Sequence, residues 1–322
     1  MRSNPVGPVR VLALLLVSTL TGAARAHDVS DELSAGALSS SGSRGSSPFL
    51  SNRIGGSLDA SDALALSLSG TFTRYFRSPG ASAESILQLA AAGDYSPTDH
   101  LSFGLDIRGS PPSTATAQDA PRAARYSYRT SSLGGGISAE YDTAGDSDAE
   151  TIGDSYLGVT SYRTTQRARA RKGAPAVLVG TPSSLLQWRG SIGVTEVLWR
   201  ATEVGLSGTY YVYSEDPADT GYVGPSVWGR SGVSEGVPLE PLRWAIQPSV
   251  RQRFGPVRVG AYVQYGRYVA DSGFMVTAAL KAQLRVSEVL KVWAQIGFQR
   301  DSNGSGETLS IPWGSVGARV ML

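Results

Sequence analysis

The chain has 322 residues, 41% hydrophobic and 17% charged, with 29 Lys and Arg, 27 Asp and Glu, two His and no Cys. Without cysteine there is neither a disulfide nor a lipid-modified cysteine, and with only His27 and His100 most hydrolase and metal-site arrangements lack their parts. Three of the basic residues (Arg2, Arg10 and Arg25) lie in an acid-free leader, so the rest of the chain carries 26 basic against 27 acidic residues and no global charge for binding nucleic acid.

The leader comes first in chain order. Arg2 and Arg10 precede the apolar run 11–20, and residues 21–26 end in Ala24-Arg25-Ala26, which is the basic, hydrophobic and cleavage order of a secretory signal. The sequence predicts a cut after Ala26, a mature chain beginning at His27, and a division into signal 1–26, a weak strand with a Ser-rich segment over 27–50, and a main body over 51–322. No later stretch reaches the ~18 consecutive apolar residues of a membrane helix. Any crossing of a membrane by the mature chain must be made by strands.

The body alternates between apolar and polar residues with period two. Strands are predicted at 32–40, 52–58, 64–74, 86–95, 100–108, 131–141, 155–165, 185–194, 202–213, 243–254, 257–265, 274–286, 290–298 and 309–321. The segment 274–286 is the clearest: Phe274, Val276, Ala278, Leu280, Ala282 and Leu284 oppose Thr277, Lys281, Gln283 and Arg285. Many of these runs are near the ~9–11 residues of a tilted membrane-spanning strand and longer than the ~5–6 of a soluble sheet. The segment 32–40 alternates only weakly. It enters because both termini of an even-stranded barrel lie on one side, which makes fourteen strands, with twelve as the alternative count.

The connections alternate too. Short ones fall near 59–62, 96–99, 197–201, 255–256 and 287–288, and long polar ones at 75–85, 109–130, 166–183, 214–241 and 300–308. Two break the rule: 142–154 is long and acidic where a turn is due, and 266–272 is short where a loop is due. Tyr75, Phe76, Tyr95, Tyr141, Tyr156, Trp199, Tyr213, Trp244, Phe254, Tyr268 and Phe274 sit near strand ends, as an interfacial aromatic belt would.

Signal, alternating helix-free body, loop asymmetry and the terminal strand Val316-Gly317-Ala318-Arg319-Val320-Met321-Leu322 together resemble the bacterial outer-membrane β-barrels of the porin-like class. Leu322 stands where that class usually ends in an aromatic residue. The resemblance implies an all-β fold, an antiparallel up-and-down transmembrane barrel in the Gram-negative outer membrane. The competing soluble sandwich or propeller would carry Lys, Glu and Asp on its polar face. Here that face is small and polar, as in Ala65, Ser67, Ser69 and Thr71, which suits a crowded lumen.

Candidate sites are few. Gly232–Gly236 matches a nucleophile elbow but has no strand-turn-helix setting. His27 as a new amino terminus, Asp99-His100 at a turn, the calcium-like loop 301–307 and the acidic patch Asp146, Asp148, Glu150 all read as solvated or turn chemistry. No enzyme, cofactor or metal is expected. Extending strand 155–165 outward would put Arg167, Arg169 and Arg171 on the lipid side, where guanidinium forks suit lipopolysaccharide phosphates.

Face assignment places ten cations inward, Arg53, Arg108, Arg189 and Arg243 among them, against Asp94, Asp106, Glu140 and Glu203. Arg251, Arg253, Arg258, Lys281, Arg285 and Lys291 are expected to form a basic patch at the periplasmic end of the lumen. Two functions are therefore open. One is a pore for small hydrophilic solutes with anion preference. The other is a structural barrel that anchors an envelope complex for secretion, surface-polymer export or motility, with protein partners at the 142–154 connection.

Overall fold

The computed structural model describes residues 26–39, 46–76, 84–118, 125–143, 149–169, 177–198, 201–217, 241–269, 273–302 and 308–321. The leader residues 1–25 lie outside these. Fourteen strands follow one another: β1 (Ala26–Ser39), β2 (Ser46–Ser61), β3 (Leu64–Tyr75), β4 (Glu84–Thr98), β5 (Leu101–Gln118), β6 (Arg125–Asp142), β7 (Ala149–Arg169), β8 (Val177–Leu198), β9 (Thr202–Tyr213), β10 (Leu242–Phe254), β11 (Val257–Tyr268), β12 (Phe274–Arg285), β13 (Leu290–Ser302) and β14 (Thr308–Met321). Each is antiparallel to the next, and β14 returns to pair with β1, so the sheet closes on itself and has no free edge. The described residues contain no helix.

Alternation decides which side chain faces where. In β12, Met275, Thr277 and Ala279 are buried while Ala278, Leu280 and Leu284 are exposed. Registers such as Leu280↔Ile296 and Ala278↔Phe298 then line the apolar side chains up across neighbouring strands. Around the whole wall, Leu105, Ile107, Leu133, Ile137, Leu157, Ile192 and Ile296 are 57–71% exposed, whereas Thr277, Gln187, Gln295 and Gln299 are buried. The oil is outside and the amides are inside. At about 25 cal/mol per Å² of apolar surface, such an exterior is stable against hydrocarbon and not against water, which removes the soluble sandwich.

One rim, the turn end, carries both described chain ends and the tight connections. Asp62–Ala63, Asp99–His100 and Gly255–Pro256 are two-residue turns there. Phe254 pairs with Val257, and Gly255 has φ +57°, the left-handed value a two-residue hairpin needs at its first central position. The opposite rim, the loop end, carries the longer connections.

Several expected boundaries move. β1 is a full wall strand, pairing with both β2 and β14, so the barrel begins at Ala26 and not near residue 51. Segments 109–130 and 166–183, expected as loops, are mostly ladder: β5 pairs with β6 to Gln118↔Arg125, and β7 with β8 to Ala168↔Val177. Polar Ser- and Thr-rich strands satisfy one another's backbone groups as well as apolar ones do, so β5–β8 rise above the rest of the wall. Pro111 and Pro112, which lack an N–H, end the β4 ladder at Leu89↔Gly109 and shift the β5–β6 register between Ser110 and Ser113. The long acidic connection 142–154 shrinks to 143–148, because β7 starts at Ala149 and takes Glu150 and Asp154 into the wall.

Candidate functional site

The concave inner face of the barrel is the only surface on which polar and charged side chains from many strands converge in the described residues. It has two halves. Toward the loop end it is packed: Phe49, Tyr75, Ile86, Ala279 and Trp313 form one buried cluster with Tyr262 against it, and Tyr211, Leu242, Ala245, Tyr268 and Met275 form a second. These rings lie against the wall because glycines leave room for them. A Cβ on Gly36 would come within 2.7 Å of the Phe49 ring, and one on Gly297 would overlap the Trp313 ring. Asp301 is 3% exposed there, accepting hydrogen bonds from Tyr268 Oη and, at 2.6 Å, from Gln299 Nε2.

The turn-end half is charged, and the pairings bring the six expected basic residues together on β10–β13. Arg253 stands directly across from Arg258, and Arg285 from Lys291. Glu203 on β9 accepts from Arg251 Nη1 at 3.0 Å and from Arg258 Nη2, tying two of the six to one carboxylate. Lys281 lies 5.1 Å from the centroid of Trp293, a cation–π contact further up the lumen. Among the described residues Arg253, Arg285 and Lys291 have no ion-pair partner. Sequence reasoning missed Arg319, which is paired in register with Lys291 and donates to Ser30 Oγ at 3.1 Å. The odd-number parity of β14 was the signal for it.

Other inward assignments need correction. A register shift between Leu242 and Trp244 turns Leu242 into the lumen, while Arg243 is exposed and donates to the Val269 carbonyl at the rim. Inward acids are more numerous than expected, because the alternation also brings in Glu32 opposite Arg53 and Asp154 opposite Glu140. The aromatic belt splits. Phe76, Tyr95, Tyr141 and Phe254 are exposed, and Trp244 and Phe274 flank Tyr265 in ring contact on the outer face. Tyr75, Tyr213 and Tyr268 instead join the lumen clusters, and Tyr156 stands between the guanidinium groups of Arg108 and Arg189, each 5.4 Å from its ring centroid. Trp199 lies outside the described residues.

Arg167 and Arg169 fall in the loop-end extension of β7, opposite Ser127 and Arg125, and Arg171 lies outside the described residues. So do Gly232–Gly236, Asp146, Asp148 and most of loop 301–307. His100 is an exposed turn residue whose Nδ1 is 3.0 Å from the Asp142 carbonyl oxygen. No group of three metal-ligating side chains occurs among the described residues.

No family model matches the chain, and no curated protein does. Among solved structures it is similar to the CymD monoaromatic hydrocarbon channel, with TM-score 0.52 and 11% identity over 96% of this chain and 92% of that one. It is also similar to a TodX deltaS2S3 mutant monoaromatic hydrocarbon channel, with TM-score 0.51 and 10% identity over 94% and 92%. At such identities the likeness is one of fold, and the chain has the fold of the outer-membrane β-barrels.

Proposed function

We propose that the protein is an outer-membrane pore for small hydrophilic solutes, exported by its leader and weakly selective for anions. The observation that carries this reading is the pairing of an apolar exterior with an interior whose turn-end half is lined by charged side chains from many strands. Both neighbours above are channels, which supports passage through the barrel. Their hydrocarbon cargo does not suit the guanidinium and carboxylate groups of the turn-end half. The anion preference rests on Arg251, Arg253, Arg258, Lys281, Arg285 and Lys291, gathered at one end with Glu203 among them, since rings of Arg and Lys in a low-dielectric tube focus their field on the permeating ion. The turn end faces the periplasm in this orientation, and lipopolysaccharide phosphates meet the other rim, where the extension of β7 carries Arg167 and Arg169. The anchoring alternative rested on a connection spanning 142–154, and the strands leave only 143–148 between them there.

Purified protein in a planar bilayer should give steps of conductance with a reversal potential displaced toward anions. Changing Arg253, Arg258 and Arg285 together to Glu should move that potential toward cations. A silent bilayer overturns the pore. An unchanged reversal potential in a conducting triple variant overturns the role of the patch.

A further inference from the structure

The signs of the lumen charges are sorted by strand. In a closed ring of fourteen, strands seven apart in order stand opposite each other, so β4, β5, β6 and β7 face β11, β12, β13 and β14. The first group presents Asp94, Asp106, Glu140 and Asp154 to the lumen. Arg108 lies on the same arc, paired with Asp106 at 3.2 Å. The second group, with the end of β10, presents Arg253, Arg258, Lys281, Arg285, Lys291 and Arg319. One wall is acidic and the wall across from it is basic.

Pairing accounts for only part of that arrangement, since Glu203 holds Arg251 and Arg258 and Glu32 stands in register with both Arg319 and Arg53. Like charges directly opposite on adjacent strands are destabilising, yet Arg253↔Arg258, Arg285↔Lys291 and Lys291↔Arg319 are in register on one side, and Glu140↔Asp154 on the other. Charges placed for pairing would alternate in sign around the wall. Placed as they are, they sum to a field directed across the lumen, from the β10–β14 arc to the β4–β7 arc. With strands ~4.8 Å apart and tilted by ~40°, fourteen of them enclose about 28 Å between opposite backbones. Long Arg and Glu side chains narrow that gap from both sides.

We propose that the turn-end half of the lumen is a transverse filter for zwitterionic solutes, which cross it with the cationic end toward Asp94, Glu140 and Asp154 and the anionic end toward Arg253, Arg285 and Lys291. This rests on the pore reading above and deepens it. A simple ion is drawn to one wall and repelled by the other, so only the excess of basic over acidic side chains acts on it, which is the weak anion preference above. A solute with both charges gains at both walls, and a neutral solute of similar size gains at neither.

The test measures uptake of labelled glutamine, a zwitterion, and labelled arabinose, neutral and of similar mass, into vesicles containing the mature protein. At low salt glutamine should enter at least about threefold faster, a modest part of the ~10-fold or greater enrichment that focused fields give. The ratio should fall to near one at ~1 M salt, where the screening length is ~3 Å. Changing Asp94, Glu140 and Asp154 to Lys makes both walls basic and should abolish the preference while arabinose still enters. Adding Arg253→Glu, Arg285→Glu and Lys291→Glu to those three reverses the field and should restore it. Equal uptake by wild-type protein that passes arabinose overturns the filter alone, as does a preference that survives in the acid-to-Lys triple variant. Failure of arabinose itself to enter overturns the pore and the filter with it. The wild-type ratio and its salt dependence decide the matter even where a variant does not assemble.

Discussion

The loop-end half of the lumen is lined by rings pressed onto glycines, whereas the turn-end half is lined by charges set beside charges of the same sign. The first arrangement serves packing: Phe49, Tyr75, Ile86 and Trp313 bury one another, and Gly36 and Gly297 keep the space those rings fill. The second gives up stability. Cross-strand pairs such as Lys291↔Arg319 and Glu140↔Asp154 cost energy, and the exposed ion pairs of Glu203 return little of it. The barrel is therefore expected to be held together at its loop end and to discriminate among solutes at its turn end.

Trp313→Ala should test the packed half most severely. Its ring joins a buried cluster and leaves a cavity when removed, so unfolding in detergent should become easier by about 3–5 kcal/mol. Ion selectivity should stay where it is. A cost below ~1 kcal/mol would break the division of labour. Glu203→Gln probes the other half, where Arg251 and Arg258 would lose their shared carboxylate. Half-exposed arginines limit the stability change to about 1 kcal/mol or less, while the reversal potential should move further toward anions in a bilayer recording. A large loss of stability with an unmoved potential would mean that Glu203 serves the fold. The smallest effect is expected at Gly208→Ala. Gly208 is on the outer face with no atom within 4 Å of an added Cβ, unlike the glycines beneath the rings, so the variant should be neutral or gain about 0.5 kcal/mol in the same unfolding measurement.

Much of the wall was legible because side-chain direction in a strand repeats every two residues. Each expected strand is present, and Arg253, Arg258, Lys281, Arg285 and Lys291 face the lumen as their parity requires. Parity failed where a bulge intervenes, since one extra residue at Arg243 turned Leu242 inward in its place. The aromatic-belt reading failed where it passed over parity, since Tyr156 alternates with the outward Leu157 and Val159. Tyr95 and Tyr156 both lie near strand ends, and one faces out while the other lies between two arginines.

The sequence by itself determined where the strands lie and which way most of their charges point, because these follow from a local two-residue period, whereas closure of the sheet decided fourteen strands over twelve. The lengths of β5–β8 and of the 143–148 connection depended on backbone pairing between strands whose polar side chains carry no hydrophobic signal. Only closure decided that Glu140 and Asp154 stand across the lumen from Lys291 and Arg319. Residues on opposite walls are far apart in the chain, and their separation is set by how many strands complete the ring, a property of the whole sheet that no local pattern encodes.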